Sequence, residues 1–397
     1  MRTPEKPLRL AVVLSHPTQY YSPWFRWIAA NTNLQLRVFY LWDFGVKLAL
    51  DRQFGKAFVW DVDLLSGYDH EFVPNTSRHP GTEHFGGLRN PSLPSRLAIW
   101  QPDAVLLFGY KYRTHLNLVL WARLHRLPLI FRGDSHLIGR PPLSLAKRLP
   151  LALLFRQLAA FTCVGEANRD YFRRFGVPEK KIFSVPHCVD ASHFTATDDL
   201  RREADRLRAS LGLEGQRIVL FAGKFVPAKQ PVELLKAFVA INAPDAALVF
   251  VGDGEQRAAL EALAAANPGK TVRFLPFANQ SEMPARYLMA DIFTLPSRGL
   301  YETWGLAVNE AMHLGVPCLV SDRVGCQRDL VTDRETGWVF SATVPGALQT
   351  ALGGALSDIA TRADTFHKQV ATRIASYNYE TATAGLLRAI TFALSRS

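Results

Sequence analysis

Cysteine is scarce in this chain of 397 residues. Cys163, Cys188, Cys318 and Cys326 lie far apart with no C-x-x-C pair, which argues against a zinc site or a disulfide scaffold and suits a reducing cytoplasm. Long apolar runs are missing too. The N-terminus carries Arg2, Glu5, Lys6 and Arg9 and then one short apolar run, too short for a secretory segment or a membrane span, so membrane contact is expected to be peripheral. The 11 histidines include no H-E-x-x-H spacing, and no catalytic metal is expected. Neither half holds a complete G-x-G-x-x-G, which weighs against an NAD or FAD oxidoreductase. There is no zinc-finger spacing and no basic run interleaved with aromatics, so nucleic acid is not an expected partner. Acid is outnumbered: 35 Asp and Glu face 46 Lys and Arg, a net charge of +11. Such a balance favours an anionic partner, whether nucleotide, lipid headgroup or acidic polymer.

What is present is apolar material in short, regular portions. A hydrophobic fraction of 48% with 20% charged residues describes a globular chain, and its length suits two domains of roughly 150 to 200 residues. The first half offers "LRLAVVL", "LQLRVFYL", "AVLLFG", "PLIFRG", "AAFTCVG" and "KIFSVP"; the second offers "RIVLFAG", "AALVFVG", "VRFLPF", "DIFTLPS" and "PCLVSD". Continuous rather than alternating apolar runs mark strands buried on both faces, as in a parallel sheet covered by helices. The expected fold class is α/β, two doubly wound domains. The strand pattern lapses over "VPHCVDASHFTATDDLRREADRLRASLGL" and resumes at Arg217, placing a boundary near Val189 to Ala196. The expected division is 1–190, 191–378, and a last helix 379–397 able to pack back on the N-terminal domain.

Three stretches of the second half carry chemistry. "FAGKFVPAKQPVELLKAFVAI" reads as strand, turn at Gly223, then a helix beginning at Pro231, with Val232, Leu235, Phe238 and Val239 as its buried face. Lys224 and Lys229 bracket the loop before that helix start. They are either a diphosphate site or two solvated lysines. "VGDGEQR" is either a ligand-approaching turn or a tight strand-to-helix turn, since Arg257 occupies the third glycine place of a dinucleotide fingerprint. In "LPSRGLYETWGLAVNEAMHLGVPCLVSD" a short helix runs from Gly305 to Leu314. Glu310 shares its stripe with Leu306, Ala307 and Leu314; a carboxylate there needs a partner, either a ligand or a nearby arginine. Glu302, just ahead, is a site acid or a dipole-complementing one.

Together "GKFVPAKQP", "VGDGEQR" and "YETWGLAVNEAMHLGVPCLVSDRVG", with "VPHCVDASHF" as the strand-to-linker motif, resemble the nucleotide-binding half of retaining glycosyltransferases of family 4. The resemblance covers most of Val185 to Phe340 and implies the GT-B fold, two Rossmann-like domains facing a central cleft. It implies that Lys224 and Lys229 bind the donor diphosphate and that Glu310 holds the ribose hydroxyls. It also places Glu302 near the donor sugar, with Gly223 and the amides of Thr303, Trp304, Gly305 and Leu306 facing sugar and phosphate. Two departures stand out. Gln230 replaces the glycine that commonly follows the lysine, and "SRGLYE" is about a residue or two longer than usual.

The resemblance leaves the N-terminal domain to the acceptor. Its first loop, "SHPTQYYSP", has no glycine. His16 and Gln19, with aromatic faces beside them, suit carbohydrate hydroxyls; alternatively His16 caps the strand while Tyr20, Tyr21 and Trp24 are core. In "LIFRGDSHLIGR", Asp134 and His136 resemble the family's cluster aimed at the donor sugar, and Asp134 and Ser135 could equally cap a turn. "DVD" at Asp61 to Asp63 is not expected to hold a metal, because it lies in the wrong half for the donor. Residues 140–161 mix Arg140, Lys147, Arg148 and Arg156 with dense leucine. They are either an anionic-membrane contact or a buried helix pair split by Pro150.

The expected activity is transfer of a sugar from a nucleotide-sugar donor to a hydroxyl of a saccharide or lipid-linked acceptor. The resemblance implies retention of configuration, no cofactor, and a role in cell-surface polysaccharide or glycolipid synthesis. The expected location is cytoplasmic, peripheral at the inner face of the membrane. A GT-B sugar-nucleotide 2-epimerase and a noncatalytic polysaccharide- or lipid-binding protein are the alternatives.

Overall fold

The structure, a computed structural model, describes residues 7–46, 49–51, 56–58, 60–300 and 302–396. Arg2, Glu5 and Lys6, Tyr301 ahead of Glu302, and the side chain of Lys147 lie outside that description. In chain order the first half comprises β1 (Arg9–Leu14), α1 (Tyr21–Asn31), β2 (Gln35–Tyr40), a hairpin of β3 (Ala49–Asp51) and β4 (Lys56–Phe58), and β5 (Asp69–Phe72). It continues through α2 (Leu93–Trp100), β6 (Ala104–Phe108), α3 (Arg113–Leu124), β7 (Leu129–Arg132), α4 (Leu145–Phe155), β8 (Ala160–Cys163), α5 (Glu166–Arg174) and β9 (Ile182–Ser184). Seven of these strands form one parallel sheet in the order β5-β2-β1-β6-β7-β8-β9.

After α6 (Asp198–Ser210) the pattern repeats: β10 (Arg217–Ala222), α7 (Pro231–Ala240), β11 (Ala246–Val251), α8 (Arg257–Ala265), β12 (Thr271–Leu275), α9 (Met283–Leu288) and β13 (Ile292–Leu295). Then come α10 (Leu306–His313), β14 (Cys318–Ser321), α11 (Gln327–Leu330) and β15 (Gly337–Phe340). This second parallel sheet is ordered β12-β11-β10-β13-β14-β15. All eleven apolar runs of the sequence lie on strands.

The continuous runs are explained by two-sided burial. Along β1, Ala11 and Val13 enter one core while Leu10, Val12 and Leu14 enter the core on the opposite face. Along β10, Ile218 and Leu220 face one core while Val219 and Phe221 face the other. Each large aliphatic side chain so buried contributes about 1.5–3 kcal/mol, and no face is left to be polar. The strands that the runs did not announce are β5, "DHEF" at a sheet edge with no fully buried residue, the edge strand β15, and the hairpin.

In each sheet the chain leaves the first strand in one direction and returns to start the other side, between β1 and β6 and between β10 and β13. The carboxyl ends of strands at such switch points open a crevice. The loops after β1 and β10 therefore sit where a ligand would be gripped.

Two long helices finish the chain: α12 (Ala347–Ile374), bent at Arg362, and α13 (Tyr379–Leu394). α13 lies against β8 and β9 of the first sheet, burying Leu386, Ala389 and Ile390 in the core with Leu10 and Val12. Its Gly385 passes so close to the first half that a Cβ would stand 2.0 Å from the Ser184 carbonyl oxygen.

Two local expectations change. On α7 the fully buried face is Pro231, Leu234, Leu235, Ala237 and Phe238, with Val232 and Val239 only partly covered. Residues 140–161 are not a helix pair split at Pro150: α4 runs through that proline, and Leu145, Leu149 and Leu153 are exposed. Pro150 and Ala146 both face solvent, so water is at hand for the carbonyl that loses its helical partner there.

Candidate functional site

A cleft of about 450 Å³ lies between the two sheets, lined from one side by Thr18, Gln19, Tyr20, Tyr21, Asp134 and His187 and from the other by Gly223, Lys224, Lys229, Glu302 to Ala307, and Glu310. Its floor on the second-half side is built from three strand ends. After β10 the backbone turns at Gly223, whose carbonyl oxygen would be 2.0 Å from a Cβ on Gly252 after β11. A Cβ on Gly254 would likewise meet the backbone of Phe225. The glycines of "VGDG" are thus required by two adjoining turns, and Arg257 donates back to the Gly252 carbonyl at 3.2 Å.

The loop from Gly223 ends in a single 3-10 turn, Pro227–Lys229, and passes into α7 through Gln230 in the left-handed region (φ +57°). The Gln230 carboxamide donates to the Pro227 carbonyl at 3.0 Å, holding the turn that a glycine would adopt without strain. The extra residues before Glu302 pack on the same turn: the amides of Arg298 and Gly299 both donate to the Ala228 carbonyl, at 2.9 and 3.1 Å.

Lys229 is not a solvated lysine. Its Nζ donates to Glu302 Oε2 at 2.7 Å, and Ser297 Oγ donates to the same oxygen at 2.8 Å. Glu302 therefore stands ahead of α10 as an ion-paired site acid and not as an acid of the helix's first turn. α10 itself begins at Gly305, in the left-handed region (φ +99°), where a Cβ would press on Leu295 and Val324 at 2.9 Å. Gly305, Leu306 and Ala307 at that helix start line the cleft, at the end of a helix that favours an anion.

Glu310 is 3% exposed. Its partner is a phenol and not an arginine: Tyr287 Oη donates to Oε2 at 2.6 Å. Among the described residues Oε1 has no hydrogen-bond partner, although the Tyr20 hydroxyl and Gln280 carboxamide lie near the carboxyl. Burial pushes the carboxyl up to about 7, against the opposing pull of Tyr287. A buried carboxylate oxygen without a donor is costly; here it is aimed into a cleft, which is where a ligand's donors would enter.

The first half meets this floor directly. Thr303 Oγ1 donates to Asp134 Oδ2 at 2.7 Å. Trp304 Nε1 donates to Asn309 Oδ1 at 2.7 Å, and Asn309 in turn donates to the His187 carbonyl at 3.1 Å, tying α10 to the segment that links the sheets. His136 is buried behind the wall: Nδ1 accepts from the Ile138 amide and Nε2 donates to the Glu302 carbonyl at 3.2 Å. It supports the loop and does not line the cleft. His16 also stands outside, against Trp42 and Phe44 with Ser15 Oγ at 3.0 Å from Nδ1, and burial lowers it to about 4. Gln19, three residues on, does line the cleft, as do Tyr20 and Tyr21, while Trp24 is core. Asp61 and Asp63 are engaged elsewhere: Asp61 accepts from the Ser281 amide at 3.2 Å and Asp63 pairs with Arg26 at 3.3 Å. Tyr287 belongs to the site without any motif to announce it, and Ser297, Asn309 and His187 lie within the quoted stretches without being singled out there.

Residues 203–368 match the family described as glycosyl transferases, group 1. That match lies within the C-terminal half of the chain. Curated relatives are similar over part of the chain. A GDP-mannose-dependent α-(1-6)-phosphatidylinositol monomannoside mannosyltransferase of Mycolicibacterium smegmatis is 31% identical over 238 residues, 58% of this chain and 61% of that protein. A D-inositol 3-phosphate glycosyltransferase of Salinispora tropica is 28% identical over 334 residues, 74% of this chain and 68% of that protein. The chain thus spans about three-fifths of the mannosyltransferase it matches. Among solved structures, Anabaena HepE in complex with UDP and glucose superposes with a TM-score of 0.71 at 14% identity, covering 97% of this chain and 99% of that one. A Rickettsia africae glycosyltransferase reaches 0.75 at 12% identity, covering 98% and 99%. At such identities the likeness is one of fold, and the fold is GT-B.

Proposed function

We propose that the protein transfers a glycosyl group from a nucleotide-sugar donor to a hydroxyl of a saccharide or lipid-linked acceptor, with retention of configuration, in cell-surface polysaccharide or glycolipid synthesis. The observation that carries this reading is one cleft holding Lys224, Lys229, Glu302, the start of α10 and a buried Glu310 with an unbonded oxygen. Relatives named for GDP-mannose-dependent and inositol-phosphate glycosyl transfer support it, as do fold neighbours crystallised with UDP and UDP-glucose.

In this reading the ribose hydroxyls donate to Glu310, and the base lies beyond it toward Phe277, Gln280 and Met283. The diphosphate meets Lys224, Lys229 and the amides of α10. Lys229 then exchanges part of its pairing with Glu302 for the phosphate, leaving Glu302 an oxygen for the sugar hydroxyls. As the sugar C1–O bond to phosphate breaks, negative charge grows on the leaving diphosphate, where the two ammonium groups and helix amides stabilise it. The acceptor oxygen forms the new bond to C1, and its proton passes to a phosphate oxygen. Gln19 and Asp134 border the acceptor side. The phosphate charge is met by protein groups throughout, so the reading calls for no metal or cofactor. Among the described residues no helix is long and apolar enough to cross a membrane; the proposed location is cytoplasmic, at an anionic membrane surface.

The test is thermal stability against a panel of nucleoside diphosphates and NAD, with magnesium or EDTA. One diphosphate is expected to raise the midpoint equally in both, and Glu310→Ala to abolish the rise. No shift at millimolar nucleotide would overturn the donor site. An epimerised nucleotide sugar formed without acceptor would move the assignment to the epimerase.

A further inference from the structure

Helices α3 and α4 each expose a leucine stripe at helical spacing. On α3, Leu116, Leu120 and Leu124 are 37%, 64% and 81% exposed; on α4, Leu145, Leu149 and Leu153 are 77%, 61% and 48% exposed. Between the helices runs a groove of about 770 Å³, lined by Leu116, Leu120, Leu151, Leu153 and Leu154 together with Arg123 and Arg140. Six leucines offered to water on two neighbouring helices form a patch that ordinary surface scatter does not produce.

The charge around it selects the occupant. Between residues 104 and 165 there are nine Lys and Arg and a single acid, Asp134; Arg132 is buried, and the acid is turned inward to Thr303. This stretch supplies +8 of the chain's net charge of +11. A second copy of the chain docked by the same face would set two such surfaces against each other, and like charges at that density repel. A sheet of anionic headgroups above apolar chains answers both features at once, with arginines at the phosphates and leucines below them.

We infer that the α3–α4 face docks on an anionic lipid leaflet. The groove is tied to a loop that leads to the cleft: Arg140, which lines it, donates to the Leu300 carbonyl at 2.7 Å, two residues ahead of Glu302. With the chain held there, the proposed transfer reaction would draw a lipid-linked acceptor from the same leaflet. Only that last consequence rests on the proposed transfer reaction; the docking does not.

The experiment is flotation of the full chain with vesicles of phosphatidylcholine alone or with phosphatidylglycerol, at low and high salt. Nucleoside-diphosphate thermal shift is read on the same samples. The full chain is expected to float with the anionic vesicles at low salt only. Leu124→Gln and Leu149→Gln should each weaken partitioning about tenfold. Arg123→Gln with Arg156→Gln should weaken it about twenty-fivefold, all with the nucleotide shift kept. Absence of flotation with the nucleotide shift intact would overturn the docking and leave the transfer reading standing. Flotation unchanged in the leucine and arginine variants would overturn this face. A dimer in sedimentation that Leu124→Gln and Leu149→Gln dissolve would give the face to a second copy instead. Flotation that behaves as expected while no nucleotide shifts the midpoint would sustain the docking and count against the transfer reading alone.

Discussion

The loops after β1 and β10 leave equivalent strands, each at the switch point of a parallel sheet with the same winding, yet their chemistry differs. After β10 come Gly223, Lys224 and Lys229, a backbone close enough to its neighbour to forbid a Cβ at Gly252, and a helix start. After β1 come Gln19, Tyr20 and Tyr21 and no glycine, with α1 starting at Tyr21 behind them. One half presents cations and a helix start, which suit a phosphate; the other presents a carboxamide and phenols, and on its outer side a basic leucine face. The architecture is duplicated, and the loop residues alone divide the work.

The sharpest way to break that division is Lys229→Ala against Gln19→Ala. The first is expected to lower kcat about a hundred- to thousandfold by removing a donor at the leaving group. The second should raise KM for the acceptor and leave donor binding intact. Equal loss of donor affinity in both would erase the contrast.

Glu310 sharpens it through pH. Its folded carboxyl holds its proton to about 7, above the 4.5 of the free group, so between those values the folded state binds more protons than the unfolded one. Stability of the unliganded protein should therefore fall as pH rises from about 4.5 to 7 and level off above. Glu310→Gln removes that fall, and the two proteins should diverge by about 3 kcal/mol at most at pH 8 and converge below pH 5. Denaturant melts across pH check it, and parallel curves would show that the carboxyl is not held protonated.

Thr303→Val tests the bridge between the halves. Loss of its bond to Asp134 is worth about 1 kcal/mol and should lower kcat about fivefold while the nucleotide thermal shift stays. Smallest is Gln230→Gly. The left-handed residue costs about 1–2 kcal/mol, partly offset by its own bond to Pro227 and by the entropy a glycine adds to the unfolded chain. A rise of about 0.5 kcal/mol in urea unfolding is expected.

How much of this was legible depends on distance along the chain. β1 or β10 could be read because both faces of a central parallel strand are buried, so every residue of the run is apolar. β5 could not, since an edge strand reading "DHEF" owes its place to the backbone of β2 and not to its own side chains. Lys229 and Glu302 could be picked singly from their motifs, but their ion pair spans 73 residues. Glu310 was visible as a carboxylate on an apolar stripe, yet its partner Tyr287 lies on another helix. His136 and Gln19 both sit in polar loops after strands; the first turns inward to a carbonyl and the second lines the cleft, a choice made by the loop's path. The α3 leucine stripe is invisible as exposure until one sees that, among the described residues, no element covers it.

By itself, then, the sequence determined what its local physics compels: two doubly wound sheets, helix starts at Pro231 and Gly305, an excess of positive charge, and the residue types able to meet a diphosphate. The tertiary structure decided which of those groups meet. Hydrogen bonds, burial and the pairing of Lys229, Asp134 and Glu310 depend on separations of a few ångströms between residues tens to hundreds of positions apart, and no local pattern encodes them.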